Sequence, residues 1–166
     1  AFIKQYAQAG LQGKIPLYSV FTVDSIALPK LQKANMNGVM GSVMTQFWAP
    51  DLDTPQNKKF VSGFKRKYGR YPSFYAAQSY DTMFLIKSAV EAVKGDLSNK
   101  DGMRAAMEKA NFPSVRGKFS YGNNHFPIQN FYSREVVKDS DGVWTTSVRE
   151  VVLKNHQDTY AKDCSM

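Results

Sequence analysis

The residues that most often carry chemistry are few in this sequence, and they lack the partners that catalysis or metal binding requires. The histidines, His125 and His156, have no histidine, cysteine or acidic neighbour at the spacing of metal ligands. Cys164 is the single cysteine, and no histidine stands near it as a base. Asp51 and Asp53 form a carboxylate pair in a predicted loop, a spacing common on protein surfaces. These residues predict neither a metal site nor a catalytic group.

Sequence motifs of enzymes and cofactor-binding proteins are also missing. The sequence contains no G-x-S-x-G nucleophile elbow, no P-loop and no G-x-G-x-x-G turn. Gly38 and Gly41 form only a G-x-x-G within a predicted strand, which a phosphate-binding loop would not use. We therefore expect no cofactor and no enzymatic activity. An α/β enzyme with an unrecognised site is kept as an alternative hypothesis.

The charged residues suggest a second alternative. The 166 residues include 22 Lys and Arg against 14 Asp and Glu, a net charge of +8. Six of the basic residues fall within 58–70 with no acid among them, and Phe60, Phe64 and Tyr68 recur there every four residues. This spacing predicts an amphipathic helix with its aromatic side chains inward and its bases in solvent. The alternative hypothesis is a basic polyanion-binding module that uses this helix.

The elements that must position any site alternate along the first half of the chain. The residue patterns predict helices over 1–9, 25–34 (interrupted by Pro29), 54–69, 73–94 and 98–110, and strands over 15–21, 39–47, 115–121, 128–137 and 143–152. The last two strands are joined by an Asp-Ser-Asp-Gly turn over 139–142, a strong hairpin signal. The order predicts an α/β fold with Rossmann-like parallel sheet elements flanked by helices and a C-terminal β-hairpin.

Aromatic residues gather near the predicted strand ends. Tyr18 and Phe21 end the first strand, Phe47 and Trp48 end the second, and Tyr75 lies in a cluster that opens the long helix. In open α/β sheets, ligands bind outside the carboxyl ends of the parallel strands. Aromatic side chains at that edge can form the wall of a small-molecule cleft. The alternative for each of them is ordinary packing.

A set of ordered motifs resembles a known family. The segment Arg70-Tyr-Pro-Ser-Phe-Tyr-Ala-Ala-Gln-Ser-Tyr-Asp-Thr82 is similar to the P-x-x-Y-A-x-x-x-Y-D element of type I periplasmic solute-binding proteins. These are the Leu/Ile/Val-binding-protein-like receptors of ABC importers. Further similarities are Gln8-Ala-Gly-Leu before the first strand, Asn37-Gly-Val at the second strand, and the crossover from Arg116-Gly-Lys-Phe to Gln129-Asn-Phe-Tyr.

The resemblance implies a particular division of the chain. Members of the family are longer and have two lobes, so this sequence resembles only their C-terminal portion. The implied assignment is residues 1–37 and the hairpin 128–154 to the second lobe, 38–127 to the first lobe, and 155–166 to a polar tail. Half of such a receptor would expose a sheet edge, so we expect the isolated chain to self-associate. A disulfide partner for Cys164 would have to lie outside this sequence.

The resemblance also implies a function and a site. It predicts a periplasmic receptor, with a signal peptide upstream, that binds a small solute between two lobes and delivers it to the permease of an ABC transporter. The implied ligand-binding residues are Tyr18, Phe21, Thr22 and Tyr75. Phe21 matches a position where amino-acid receptors carry an acid for the α-ammonium group. We therefore expect a carboxylate ligand, either an aromatic or branched aliphatic acid or a branched-chain amino acid, and no nucleic-acid partner.

Overall fold

Helices flank a five-stranded mixed sheet in the computed structural model, which describes residues 1–21 and 23–164. The predicted α/β class is confirmed. The α-helices are α1 (Phe2–Gln8), α2 (Leu28–Lys33), α3 (Pro55–Tyr68), α4 (Phe74–Ala92) and α5 (Lys100–Lys109), and the strands are β1 (Tyr18–Val20), β2 (Val43–Gln46), β3 (Ser120–Tyr121), β4 (Pro127–Lys138) and β5 (Trp144–His156). In the described part of the chain, no helix is both long and apolar enough to cross a membrane.

Strand β4 organises the sheet. It pairs antiparallel with β2 and with β5, and its first residues pair with the short β3. Strand β1 pairs in parallel with β2 and lies at the sheet edge. Strands on both sides of residue 37 are therefore neighbours in one sheet. The division of the chain into lobes stays a prediction.

The two longest helices begin where the sequence predicts because their caps are local. The Thr54 hydroxyl accepts a hydrogen bond from the Asn57 amide at 3.2 Å, and Pro55 occupies the first turn. The Ser73 hydroxyl accepts from the Ala76 amide at 3.3 Å and begins α4. Helix α3 ends at Gly69, whose φ of 66° is the left-handed conformation that glycine adopts at little cost.

Three predicted strands are shorter than expected, and local backbone geometry explains two of them. Strand β1 covers only three residues, because Phe21 has a φ of 58° and leaves the extended conformation. Strand β2 begins at Val43, because residues 37–39 form a 3₁₀ turn and Gly41 has a φ of 75°. The predicted strand 115–121 is reduced to the two residues of β3.

Two predicted helix starts also need correction. Pro29 does not interrupt α2 but lies in its first turn, where the missing amide hydrogen costs nothing. Helix α5 is capped by Asn99 rather than Ser98, because the Asn99 side chain accepts a hydrogen bond from the Gly102 amide at 2.9 Å. The predicted starts of these two helices differ from the observed ones by one to three residues.

The predicted stripe of α3 is only partly buried. Phe60 is buried and its ring centroid lies 4.7 Å from that of Tyr80 on α4, whereas Phe64 is half-buried. The expectation that Tyr68 points inward is wrong, since 53% of this residue is exposed. Tyr68 stands in the last turn of α3, where its ring contacts Phe64 of the same helix at 4.5 Å.

The described residues form two buried apolar clusters on the sheet. The first includes Phe47, Trp48, Phe60, Phe74 and Tyr132 and lies between the sheet and helices α3 and α4. The buried members of the second cluster are Val23, Leu28, Val39, Met44, Val136 and Trp144. The first cluster contains Phe47 and Trp48, the aromatic residues that follow β2.

The end of the chain is tied to the rest more closely than the predicted polar tail suggests. Strand β5 extends to His156, so the first two residues of the predicted tail belong to the sheet. The Asn123 side chain donates hydrogen bonds to the carbonyls of Ala161 at 2.7 Å and Cys164 at 3.0 Å. The Cys164 thiol is free and half-buried.

Candidate functional site

Two of the four predicted ligand-binding residues meet on a third aromatic ring. The centroid of Phe21 lies 5.2 Å from that of Phe74, and the ring of Tyr75 lies 4.0 Å from Phe74 on the neighbouring position of α4. Phe74 is buried, whereas Phe21 and Tyr75 are more than half exposed. The arrangement therefore presents two accessible aromatic surfaces supported by one buried ring.

Phe47 connects this group to the sheet. Its ring meets Phe74 edge to face, with centroids 5.9 Å apart, and it directly follows the last residue of β2. Because β1 and β2 are parallel, Phe21 and Phe47 emerge at the same edge of the sheet. We call Phe21, Phe47, Phe74 and Tyr75 the aromatic group. It lies at the edge where ligands of such sheets bind.

The other two predicted residues are not brought into this group. Tyr18 is 72% exposed. Because side chains alternate along a strand, it projects from the face of β1 opposite to that of Ser19. Thr22 lies outside the described residues. The prediction that both contact a ligand stays a prediction.

A buried ion pair between Arg116 and Asp81 lies next to Phe47 of the aromatic group. Arg116 donates from Nε to Asp81 at 2.9 Å and from Nη1 to Gln129 at 3.0 Å, which joins α4 to β4. Asp81 also accepts from the Ser114 hydroxyl at 2.6 Å and the Val115 amide at 2.9 Å. The Arg116 guanidinium lies 5.4 Å from the centroid of Phe47. Together these bonds hold α4 and β4 in a fixed relative position.

Sequence reasoning missed this network, although Asp81 closes the quoted motif. The available signal was the helical spacing of Asp81 with the apolar Phe74 and Ala77, which places a carboxylate on the buried face of α4. Its arginine partner stands 35 residues away along the chain. Pairs so distant cannot be matched by spacing alone. The network is a positioning element, since both of its charges are engaged with each other.

Asp24, the acid nearest to Phe21 along the sequence, is hydrogen-bonded to the backbone. Asp24 is buried, and its Oδ1 accepts hydrogen bonds from the amides of Ile26 at 2.9 Å and Ala27 at 3.2 Å. These bonds hold the turn that leads into α2. Asp24 therefore acts as a turn-capping residue rather than as an open ligand for an ammonium group.

The other carboxylates singled out in the sequence point to different partners. Asp51 accepts from the Ser147 hydroxyl at 2.6 Å, whereas Asp53 pairs with Lys58 at 2.5 Å. The hydrogen bond and charge of Lys58 lower the pKa of Asp53 from its usual value. The two acids are engaged separately and form no acid–base pair.

Neither histidine belongs to a metal cluster in the described ranges. His125 lies in a turn with a φ of 58° and its Nε2 is 3.5 Å from a carboxylate oxygen of Glu108. Across residues 1–21 and 23–164, no group of three or more His, Cys, Asp or Glu side chains is placed to hold a metal ion.

Comparison with known proteins identifies the family. The sequence profile described as "Periplasmic binding protein" matches residues 1–142. The chain is 31% identical over 150 residues to Leu/Ile/Val-binding protein homolog 6 of Brucella abortus. The aligned region covers 86% of this chain but only 37% of that protein.

Solved structures agree in fold. A solute-binding protein of an ABC transporter from R. palustris in complex with benzoate is 33% identical, with a TM-score of 0.77 over 95% of this chain and 41% of its own. A second, from Rhodopseudomonas palustris BisB5 in complex with 3,4-dihydroxybenzoic acid, is 27% identical with a TM-score of 0.79, over 95% and 42%. The chain belongs to the periplasmic binding protein family, whose members are solute-binding receptors and not enzymes.

Proposed function

We propose that this protein belongs to a receptor that binds a small aromatic carboxylate between two lobes and delivers it to an ABC transporter in the membrane. The observation that carries the proposal is the aromatic group at the carboxyl ends of β1 and β2. Phe21 and Tyr75 offer ring surfaces on which a benzene ring can stack or make edge contacts. The two structures described above bind benzoate and 3,4-dihydroxybenzoic acid, which supports an aromatic acid here.

The same site does not suit an α-amino acid. An ammonium group needs a carboxylate or several carbonyl acceptors when it leaves water. Phe21 supplies only a ring, and the nearby Asp24 already accepts two backbone amides. A cation–π contact contributes roughly 0.5–2 kcal/mol, which does not offset that desolvation. A carboxylate without an α-amino group is therefore the better ligand, with branched aliphatic acids as the second choice.

The family name supports a periplasmic location, and the permease partner and the signal peptide are parts of the same proposal. In the proposed receptor, residues 1–37 and 128–154 contribute to the second lobe and 38–127 to the first. Closure of the lobes would bring a further wall onto the aromatic group, as in hinge-type binding proteins.

Isothermal titration calorimetry on the complete two-lobed receptor that contains this chain tests the proposal. We expect benzoate and 4-hydroxybenzoate to bind and leucine and phenylalanine not to bind. Phe21→Ala should weaken benzoate binding by roughly 2- to 13-fold, the equivalent of 0.5–1.5 kcal/mol for one aromatic contact. Tyr68→Ala is the matched control, because Tyr68 is an exposed aromatic residue on α3 outside the aromatic group. Phe21→Glu should shift preference toward amino acids. Tight leucine binding without a response to benzoate would overturn the proposal.

A further inference from the structure

A groove between α3 and α4 gathers basic residues that have no acidic partner. It has a volume of about 560 Å³, and Lys59, Arg66 and Lys67 of α3 line it. All three residues are exposed, and across residues 1–21 and 23–164 no ion pair joins any of them to a carboxylate. The lining of the groove contains no acidic residue. The groove therefore presents three uncompensated positive charges to solvent.

Other cations of the same helix are neutralised. Lys58 pairs with Asp53, and the Nζ of Lys65 lies 3.7 Å from Asp139 and 4.1 Å from the ring centroid of Tyr71. Both lysines line a different cavity, which lies between α3 and the hairpin. The cations that face the protein's own hairpin are thus paired, and the cations that face the groove are not.

The floor of the groove is apolar and opens at a glycine. Phe64 and Tyr80 are half-buried in its lining. Gly63 stands in the middle of α3, where glycine destabilises a helix relative to alanine. Its φ is not positive, and a Cβ built on it would have open space around it beyond the backbone of its own helix. Packing within this chain therefore does not require a glycine there, and its effect is to leave room for a group from another molecule.

Charge and shape together select the kind of partner. The basic rim requires carboxylates, and the apolar floor accepts a single apolar side chain. A second copy of this chain is a poor match, because its net charge of +8 repels the groove. An apolar protein surface is also a poor match, because it would cover three cations without pairing them. An acidic protein segment that contains one apolar residue satisfies both features.

We propose that this groove docks an acidic segment of the membrane permease, and the identity of this partner rests on the function proposed above. The carboxylates of the segment pair with the three cations, and its apolar side chain enters beside Gly63. The groove includes Ala76, which directly follows Tyr75 of the aromatic group. A permease segment seated here therefore lies beside the start of α4, which carries part of the proposed solute site.

Fluorescence polarisation with labelled peptides on the complete two-lobed receptor tests the docking site. The probe has a central leucine flanked by two glutamates on each side, and the comparison peptide has serine in place of the leucine. At 0.15 M salt, charges more than about 8 Å apart are largely screened. We expect the leucine peptide to bind roughly 4- to 13-fold more tightly than the serine peptide, the scale for half-burial of one leucine.

Two double variants separate the groove from the general charge of the helix. Arg66→Gln with Lys67→Gln should weaken binding of the leucine peptide by roughly 2- to 30-fold, the scale of two exposed ion pairs. Lys58→Gln with Lys65→Gln is the matched control, because it removes the same charge from the side of α3 that faces the hairpin. The control should bind the peptide as the unmodified receptor does.

Gly63→Leu tests the shape of the groove without changing a charge. The new side chain fills the floor, so the preference for the leucine peptide over the serine peptide should disappear. Because leucine forms helix better than glycine, the melting temperature should stay the same or rise. Loss of the preference in a variant of undiminished stability supports docking and is not explained by a structural role of Gly63.

The remaining outcomes overturn the docking site or leave it standing. Equal binding of the two peptides, or equal losses in the two double variants, would overturn it. So would tighter binding of a thymidine oligonucleotide or of phosphatidylglycerol vesicles than of the leucine peptide, which would assign the cations to a nucleic acid or to the membrane. Calorimetry with benzoate on the same variants should show unchanged affinity. Absence of benzoate binding by the unmodified receptor would remove the proposed function, whereas peptide binding decides on the groove.

Discussion

Asn57 should be among the positions where substitution costs the most stability, although it lies outside the aromatic group. It is fully buried in the first turn of α3. Its Oδ1 accepts from the Trp48 indole at 2.7 Å, and its Nδ2 donates to the carbonyls of Pro50 and Leu52, both at 3.1 Å, and of Ala49 at 3.3 Å. One side chain thus fixes the loop that leads from β2 to α3.

The loss in free energy of unfolding from Asn57→Leu follows from the hydrogen-bond partners that each neighbouring group would retain. The carbonyls of Ala49 and Leu52 also accept backbone amides, from Leu52 at 3.3 Å and from Thr54 at 2.9 Å. The indole N–H of Trp48 and the carbonyl of Pro50 would lose the side-chain partner described here. Two buried unpaired groups at about 1–3 kcal/mol each give a loss of roughly 2–6 kcal/mol.

Urea unfolding followed by tryptophan fluorescence measures this loss directly. For a protein of this length, a loss of about 4 kcal/mol corresponds to a fall of roughly 8–16 °C in melting temperature. Gln56→Leu is the matched control, since Gln56 is the preceding residue, half-buried, and its loss should cost within about 1 kcal/mol. An Asn57→Leu variant within 1 kcal/mol of the unmodified protein would refute the reasoning about unpaired groups.

An isosteric change adds a pH signature. Asn57→Asp would place a carboxylate against three carbonyl oxygens, which raises the pKa of the new acid in the folded state above its unfolded value. Stability should then be greatest below the unfolded pKa of about 4 and fall as the pH rises through the folded value. A variant with the pH dependence of the unmodified protein would show that the site tolerates charge.

Three shorter predictions follow from the fold. Phe60→Ala should cost roughly 3–5 kcal/mol in chemical denaturation, because Phe60 is buried, whereas Tyr68→Ala should cost within about 1 kcal/mol; equal losses would contradict the partly buried stripe. Burial acts to raise the pKa of Asp139, but the hydrogen bonds from Tyr71 and from backbone amides hold this pKa below its usual value. Asp139→Asn should therefore lessen the loss of stability below about pH 4, which acid titration followed by circular dichroism measures. Because β1 lies at the sheet edge, the 166-residue chain should self-associate, and a monomeric mass by light scattering over a wide concentration range would argue against it.

The starts of the two longest helices and the hairpin turn were predictable because their signals are local. Thr54 and Ser73 cap α3 and α4 through bonds that span three residues. The hairpin turn over 139–142 is held by hydrogen bonds of Asp139 with Asp141, Gly142 and Val143. The strand lengths were harder. Positive φ angles at Phe21 and Gly41 end or delay the strands, and for a phenylalanine nothing in the residue type indicates such a conformation.

The interior polar network depended on contacts that spacing does not reveal. Asp81 and Arg116 meet across 35 positions, and Asn57 reaches back to four residues of the preceding loop. Arg134, a buried arginine of β4, was detectable from the sequence pattern. It alternates with Tyr132 and Val136, which places a charged residue on the apolar face of β4. A charge at such a position breaks the pattern that otherwise predicts a half-buried strand.

That break has a structural consequence for the whole interior. Tyr132 belongs to the first apolar cluster and Val136 to the second, so Arg134 stands between them on the same strand. An apolar residue there would join the two clusters into one core and remove an unpaired buried charge, which often stabilises a protein. The charge of Arg134 therefore separates two apolar clusters on one face of the sheet, and its burial costs stability that an apolar residue would recover.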